Sequence, residues 1–408
     1  MKVGWSLGKW IVLGSLVGVL AGVSGAAFLK SLDWATDTRS DNRWLLFLLP
    51  VAGLMVGLVY QWIGGRVGEG NNLILDEIHE PSGGVPRRMA PLIYGATVVT
   101  HLFGGSAGRE GTAVQMSGSL TDAASRVLRL SRHDRRLMLI AAIGGGFGAV
   151  FGVPVAGCVF ALEIQSMGRM RYDALAPALV ASLVGDRVVH GLGVHHMTYP
   201  TIGEVDLTFA LLWRILLAGL AFGLTATAFV QVTHRIKHWL GEHVNWPPLR
   251  PFLGGGAIIV LTGVVGSRDY LGLSTPLIAR SFAGGVGVIG AAFALKLLFT
   301  ATTLGSGFYG GEVTPLFVVG ATLGCTLGNA LHSSVPLFTA IGFVAVFAAA
   351  ANTPIACTVM GVELFGAGPI VPLVLACVTA YLFSGAGGIY SSQRIDPADW
   401  GRAASPPA

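Results

Sequence analysis

Glu110 lies in Gly104-Gly-Ser-Ala-Gly-Arg-Glu-Gly-Thr112, a glycine-rich stretch between two apolar segments. A glycine-rich turn that runs into a helix presents unpaired N–H groups and the positive end of the helix dipole, both of which attract anions. An ionised carboxylate placed there competes with an anion for the same donors, and on protonation it can go neutral or leave. Glu110 therefore has the chemistry of a gate and of a proton carrier. The competing reading is an ion pair with Arg109 or another basic residue at the membrane edge. A second glutamate, Glu312, sits in Gly310-Gly-Glu-Val-Thr314 with no arginine beside it, which weakens the ion-pair reading.

The other unusual polar stretch is Gly68-Glu-Gly-Asn-Asn-Leu-Ile-Leu-Asp-Glu-Ile-His-Glu80. Asn71 and Asn72 can donate amide hydrogen bonds, while Asp76, Glu77, His79 and Glu80 can titrate. Such a composition reads by default as an exposed loop. His79 among acids is a weak metal pattern, so no metal site and no cofactor are expected. The chain has no convincing His-Glu metal spacing, Ser/His pair or paired aspartates at helical spacing, and an intramembrane enzyme is not expected.

These residues must be positioned by membrane helices. Only 12% of the 408 residues are charged and 53% are hydrophobic, which leaves too few charges to cover a soluble fold of this size. Asp, Glu, Lys and Arg are absent from Trp10–Leu29, Trp44–Gly65, Met89–Gly108, Leu137–Leu162, Ile215–Thr233, Val313–Val362 and Leu364–Gln393. About 20 apolar residues cross a bilayer, so the run from Val313 holds at least two crossings, and roughly ten or eleven are expected in all. The expected class is an all-α polytopic membrane protein with broken or re-entrant helices at the glutamate-bearing glycine clusters.

Basic residues fall between the apolar runs (Arg132, Arg135 and Arg136; Arg169 and Arg171; Arg235 and Lys237). That is the pattern of positive-inside loops, and no continuous basic face suits nucleic acid. Lys2 and Lys9 precede a first apolar stretch too long for a cleaved signal, which reads as an uncleaved helix with a cytoplasmic N-terminus. Cys158, Cys325, Cys357 and Cys377 all lie inside apolar runs and read as buried, reduced side chains.

The chain also matches itself. Val153-Pro-Val-Ala-Gly-Cys-Val-Phe-Ala-Leu-Glu163 aligns with Thr353-Pro-Ile-Ala-Cys-Thr-Val-Met-Gly-Val-Glu363, pairing Pro154 with Pro354 and Glu163 with Glu363. Gly108–Thr112 aligns with Gly310–Thr314, and Gly118 with Gly320, in the same order and at nearly the same offset. Duplication places one repeat in residues 1–200 and the other in 206–400, with no separate cytosolic domain. Transporter repeats commonly have opposite topology and bind their substrates at the repeat interface; an odd number of crossings per half would invert this pair.

Gly108-Arg-Glu-Gly-Thr112 followed by Val114-Gln115 resembles the Gly-Arg-Glu-Gly-Pro signature of the CLC family of chloride channels and anion/proton antiporters. Gly310-Gly-Glu-Val-Thr-Pro315 is similar to the family's later Gly-Gly-Ile-Phe-Ala-Pro signature, and Gly70-Asn-Asn-Leu stands in place of its Gly-Ser-Gly-Ile-Pro anion-selectivity loop. The resemblance extends over nearly the whole chain. Its departures are Asn71 for serine, Thr112 for proline, and Val313-Thr314 after Glu312, all similar to the fluoride-specific branch. The internal proton-relay glutamate of the chloride antiporters falls on Ile164, which cannot titrate.

The resemblance implies a homodimeric fluoride/proton antiporter of the CLC fold in the cell's inner membrane, exporting fluoride from the cytoplasm. It implies a gating, proton-carrying Glu110, Asn71 at the central anion site, and Glu312 with Thr314 on the fluoride and proton path. Asn72, Gly108, Arg109, Gly111, Thr112, Val313 and Tyr390 complete the implied anion-binding set. Tyr390 resembles the family's pore tyrosine, with a packed aromatic as the alternative. A chloride channel or chloride/proton antiporter is the competing function. Fluoride is small and strongly hydrated, so strong donors such as an asparagine amide or a threonine hydroxyl suit it.

Overall fold

The computed structural model describes residues 2–385 and 387–395, which form sixteen α-helices. The first eight are α1 (Lys2–Asp41), α2 (Leu49–Val59), α3 (Asn71–His79), α4 (Met89–Leu102), α5 (Glu110–Val127), α6 (Arg132–Phe151), α7 (Pro154–Glu163) and α8 (Leu175–Gly191). The second eight are α9 (Phe209–His243), α10 (Leu249–Val265), α11 (Thr275–Phe282), α12 (Ala292–Gly305), α13 (Val313–Ala330), α14 (Val335–Ala351), α15 (Pro354–Phe365) and α16 (Ile370–Ser384). α4, α5 and α6 each begin 203 residues before α12, α13 and α14. A two-residue parallel pairing of Ser166-Met167 with Arg394-Ile395 ties the end of the described chain back to the first eight helices.

The helices break where the repeated motif tells them to. α6 ends on Gly152 (φ 78°) and α14 on Asn352 (φ 56°), both left-handed residues followed two positions later by a proline that starts the next helix. These breaks refine the span count. Only four helical segments among the described residues are long and apolar enough to cross a bilayer: Leu7–Asp41, Arg43–Glu69, Phe209–His243 and Val313–Ala330. Seven more apolar helices have 10–17 residues, shorter than the roughly 20 residues of a typical crossing. The charge-free run from Val313 thus holds α13, α14 and α15, because helix ends inside an apolar run carry no charge signal.

Close backbone approach packs both halves. On α1, a Cβ at Gly14, Gly18 or Gly22 would come within 2.9, 2.7 and 2.8 Å of carbonyl oxygens of Pro177, Ala181 and Gly185 on α8. The corresponding contact in the second half sets Gly219 and Gly223 of α9 against Thr379 and Ala380 of α16. Where the first eight helices meet the second eight the core is aromatic: Phe151 meets Phe317 at 4.9 Å between centroids and Phe160 meets Phe347 at 5.8 Å.

The two matched glutamates exchange caps across this core. Glu163, at the end of α7, accepts from the N–H groups of Ile355 and Ala356 at the start of α15, at 3.1 and 2.7 Å. Glu363 accepts from Val155 and Ala156 at the start of α7, at 2.9 and 2.7 Å. Each carboxylate satisfies orphan donors of the other helix and sits on its positive dipole end. The exchange is reciprocal, as an interface with two-fold character requires. Glu163→Ala and Glu363→Ala should each lower stability by about 0.5–2 kcal/mol, the usual cost of a lost N-terminal cap. Unfolding midpoints of the detergent-solubilised variants equal to wild type would show that the caps contribute nothing.

Candidate functional site

The centre of the molecule is a backbone pairing between the two glycine-rich stretches. Gly108 N–H donates to Gly311 O at 2.6 Å and Gly311 N–H to Gly108 O at 2.9 Å, an antiparallel bridge. Glycine is needed at this approach, since a Cβ on Gly108 would lie 2.8 Å from Pro315 Cδ and 2.9 Å from Gly311 O. The bridge sets the N-termini of α5 and α13 side by side.

Glu110, the first residue of α5, is fully buried and reaches into the first turn of α13. Its carboxylate accepts from Thr314 N–H at 3.1 Å and from Thr314 Oγ1 at 2.7 and 2.8 Å. Arg109 Nε stands 3.6 Å from the same carboxylate, too far for a hydrogen bond. The ion pair therefore exists in loose form, and the tight contacts are those to the neighbouring helix end.

Two cavities approach this point. The larger, about 850 Å³, is lined by Arg109, Asp33, Asp37, Arg39 and His196 among others. The smaller, about 270 Å³, is lined by Asn71, Asn72, Gln115, Lys237, Glu312 and Tyr390 among others. They belong to different faces. Lys9 near the start of α1 pairs with Asp134 at 2.6 Å, whereas Asp33–Ser40 lie at its far end, roughly 40 Å away at 1.5 Å per residue. α3 enters from the Lys9 face, where Glu77 meets Arg135 at 3.3 Å, and points Asn71 inward.

The stretch read as an exposed loop is instead mostly helix. Gly70 (φ 63°) turns the chain into α3, whose Leu73, Ile74, Leu75 and Ile78 are buried. Glu77 is buried with them and held by Arg66, Arg135, Ser82 and the Gly83 N–H. Those apolar residues at helical spacing were the available signal, outweighed by the acidic composition. His79 Nε2 lies 2.9 Å from Gln165 O.

The remaining sequence candidates fall into distinct places. Asn71 Oδ1 is buried without a partner, and its Nδ2 would lie 2.9 Å from a Cβ at Gly111, so Gly111 makes room for the amide. Asn72 Oδ1 accepts from Ser392 N–H at 3.1 Å, holding the Tyr390 segment against α3. Tyr390 is 6% exposed and lines the smaller cavity, so it is both packed and cavity-facing. Glu312 stands at the N-cap position of α13 without a side-chain cap bond and lines the same cavity, and Val313 is buried behind it. Thr112 faces away, with its hydroxyl 2.8 Å from that of Thr97 on α4. Ile164 is buried in the core beside the Glu163 cap.

Sequence reading missed the groups that brace the Gly104–Gly108 stretch. Lys296 of α12 is completely buried and donates to Ser106 Oγ at 2.8 Å, Gly272 O at 2.7 Å and Ser274 Oγ at 2.8 Å. His101, also buried, spans Thr97 O at 2.8 Å and Ala107 O at 3.1 Å. The signal was present in each case: one lysine, or one histidine, in an otherwise apolar helix.

Comparison with known proteins agrees with this architecture. Residues 52–385 match the model of the voltage gated chloride channel family. A chloride/fluoride channel protein of Pseudomonas syringae pv. tomato is 49% identical over 399 residues, covering 95% of this chain and 87% of that protein. An H(+)/Cl(-) exchange transporter of Salmonella paratyphi B is 26% identical, covering 94% of this chain and 87% of that one. Among solved structures, a CLC-type fluoride/proton antiporter superposes with a TM-score of 0.93 at 32% identity, covering 96% of this chain and 99% of the other. A helical membrane fold whose paired glycine stretches seat a buried glutamate, matched over this length, places the chain in the voltage gated chloride channel (CLC) family.

Proposed function

We propose that this protein is a fluoride/proton antiporter that exports fluoride from the cytoplasm, with Glu110 as its gate and proton carrier. The observation that carries the reading is the seat of Glu110: a buried carboxylate on the Thr314 N–H and hydroxyl, at a helix N-terminus between two cavities of opposite faces. An anion reaching that helix end needs the same donors, so anion binding and the seated carboxylate exclude each other. A displaced carboxylate takes a proton and carries it. Asn71, with its buried amide facing Gly111, and Glu312, in the wall of the smaller cavity, are assigned to the fluoride and proton path. Gly108, Gly111 and Val313 supply backbone at the site, and Arg109 guards the larger cavity. Thr112 is assigned a supporting role through Thr97.

Fluoride rather than chloride is supported by Asn71, Glu312 and Thr314, and by the description of a solved relative 32% identical, a CLC-type fluoride/proton antiporter; the name of the Pseudomonas relative carries both halides. Lys9 and Arg135 share one face with the α6 start, which supports a cytoplasmic N-terminus in an inner membrane. The halves 1–200 and 206–400 are assigned as the inverted repeats. A homodimer with one pathway per subunit is assigned from the family resemblance. The protein acts as a transporter, not as an enzyme.

Three measurements test the assignment in proteoliposomes with external pH recorded. Glu110→Gln keeps the shape and removes the charge, so fluoride-driven proton movement should stop; wild-type proton movement would overturn the gate. Asn71→Ser should raise chloride transport relative to fluoride, and an unchanged ratio would remove Asn71 from selectivity. Thr314→Val deletes a hydrogen bond to a charged group, worth about 1.5–3 kcal/mol, and should unseat Glu110 roughly 10- to 140-fold more often. The expected readout is fluoride efflux less tightly coupled to protons; unaltered coupling would show that the hydroxyl does not hold the gate.

A further inference from the structure

Asp186, His190 and His196 lie outside the Glu110 seat, yet their ligating atoms all come within 4.8 Å of one another. Asp186 and His190 are one helical turn apart on α8, which puts both side chains on one face. His196 comes from the segment after α8. His190 Nδ1 stands 3.3 Å and His196 Nε2 3.8 Å from the same oxygen, Asp186 Oδ1. Two donors on a tetrahedral zinc ion with bonds of about 2.0–2.1 Å are separated by about 3.3 Å. The carboxylate-centred distances therefore already approach a coordination edge.

Two further observations point to a ligand. His196 Nε2 is buried and has no hydrogen-bond partner, an arrangement that costs free energy unless something occupies it. Its ring is also held in place, because a Cβ at Gly152, the α6 terminus, would sit 2.5 Å from His196 Cδ2. His190 Nδ1 also lies 3.0 Å from Asp186 O, a contact that metal binding through this atom would replace, and its side chain is 45% exposed.

We propose that Asp186, His190 and His196 form a binding site for one divalent transition-metal ion of the zinc class. Two imidazoles and one carboxylate are ligands for Zn²⁺, Co²⁺ or Ni²⁺ rather than for Mg²⁺ or Ca²⁺, which take oxygen sets. Three protein ligands leave a position for water. His195 and His196 line the larger cavity beside Arg109, so the ion joins α8 to the wall of that cavity and adds positive charge next to it.

The test uses detergent-solubilised protein freed of any histidine tag, stripped with EDTA and titrated with Co²⁺. The expected result is a visible absorption band that saturates at one equivalent per chain and is displaced by Zn²⁺ but not by Mg²⁺. His196→Ala and Asp186→Asn should weaken binding at least tenfold, while His238→Ala, an exposed histidine on α9, should leave it unchanged. His190→Gln, at an exposed position, supplies the same reading should the buried variants fail to fold, and should also weaken binding at least tenfold. Absence of a stoichiometric band in wild type, or a band that survives these substitutions, would overturn the proposal.

Discussion

The Gly108–Gly311 bridge is the contact on which the arrangement depends. Irregular backbone inside a membrane protein must satisfy its own polar groups, since lipid offers no partners. Here the two glycine-rich stretches satisfy each other at 2.6 and 2.9 Å. The pairing brings the starts of α5 and α13 close enough for a side chain on one to cap the other. Glu110 occupies that gap, and the space left by Gly111 admits the Asn71 amide.

The bridge is braced from behind by buried polar groups. Lys296 brings an amine into the protein interior and spends its donors on Ser106, Gly272 and Ser274, a costly arrangement unless those partners are fixed. His101 and the Thr97–Thr112 pair tie the same stretch to α4. A rigid seat matters for exchange, because donors held in place serve a carboxylate and an anion alike without reorganising. In the proposed cycle the two compete for one preformed site.

The same physical device appears twice. Glu163 and Glu363 cap each other's helix, each on two backbone N–H groups. At the centre, Glu110 caps α13 with open cavities on either side. A carboxylate on a helix N-terminus is thus a structural staple in one setting and a removable plug in the proposed other. What differs is the setting: the residues beside the Glu110 seat, Arg109 and Glu312, line cavities.

Much of this was legible in the residues. Charge-free runs dictated membrane helices, the self-match pointed to a repeat, and glutamate within glycine pointed to Glu110 and Glu312. These are local properties, carried by composition and spacing. The α3 helix was hidden because one of its acids, Glu77, which reads as solvated, is buried and paired with Arg66 and Arg135 from elsewhere in the chain. Which residues meet was beyond the sequence altogether: that Glu110 rests on Thr314 across 204 positions, that Thr112 turns to Thr97, and that Lys296 holds Ser106. Sequence determined the solvent and the chemical types at the centre. Tertiary structure decided the partners, because a buried polar group is satisfied by whatever packing brings within about 3 Å, and spacing along the chain does not encode that distance.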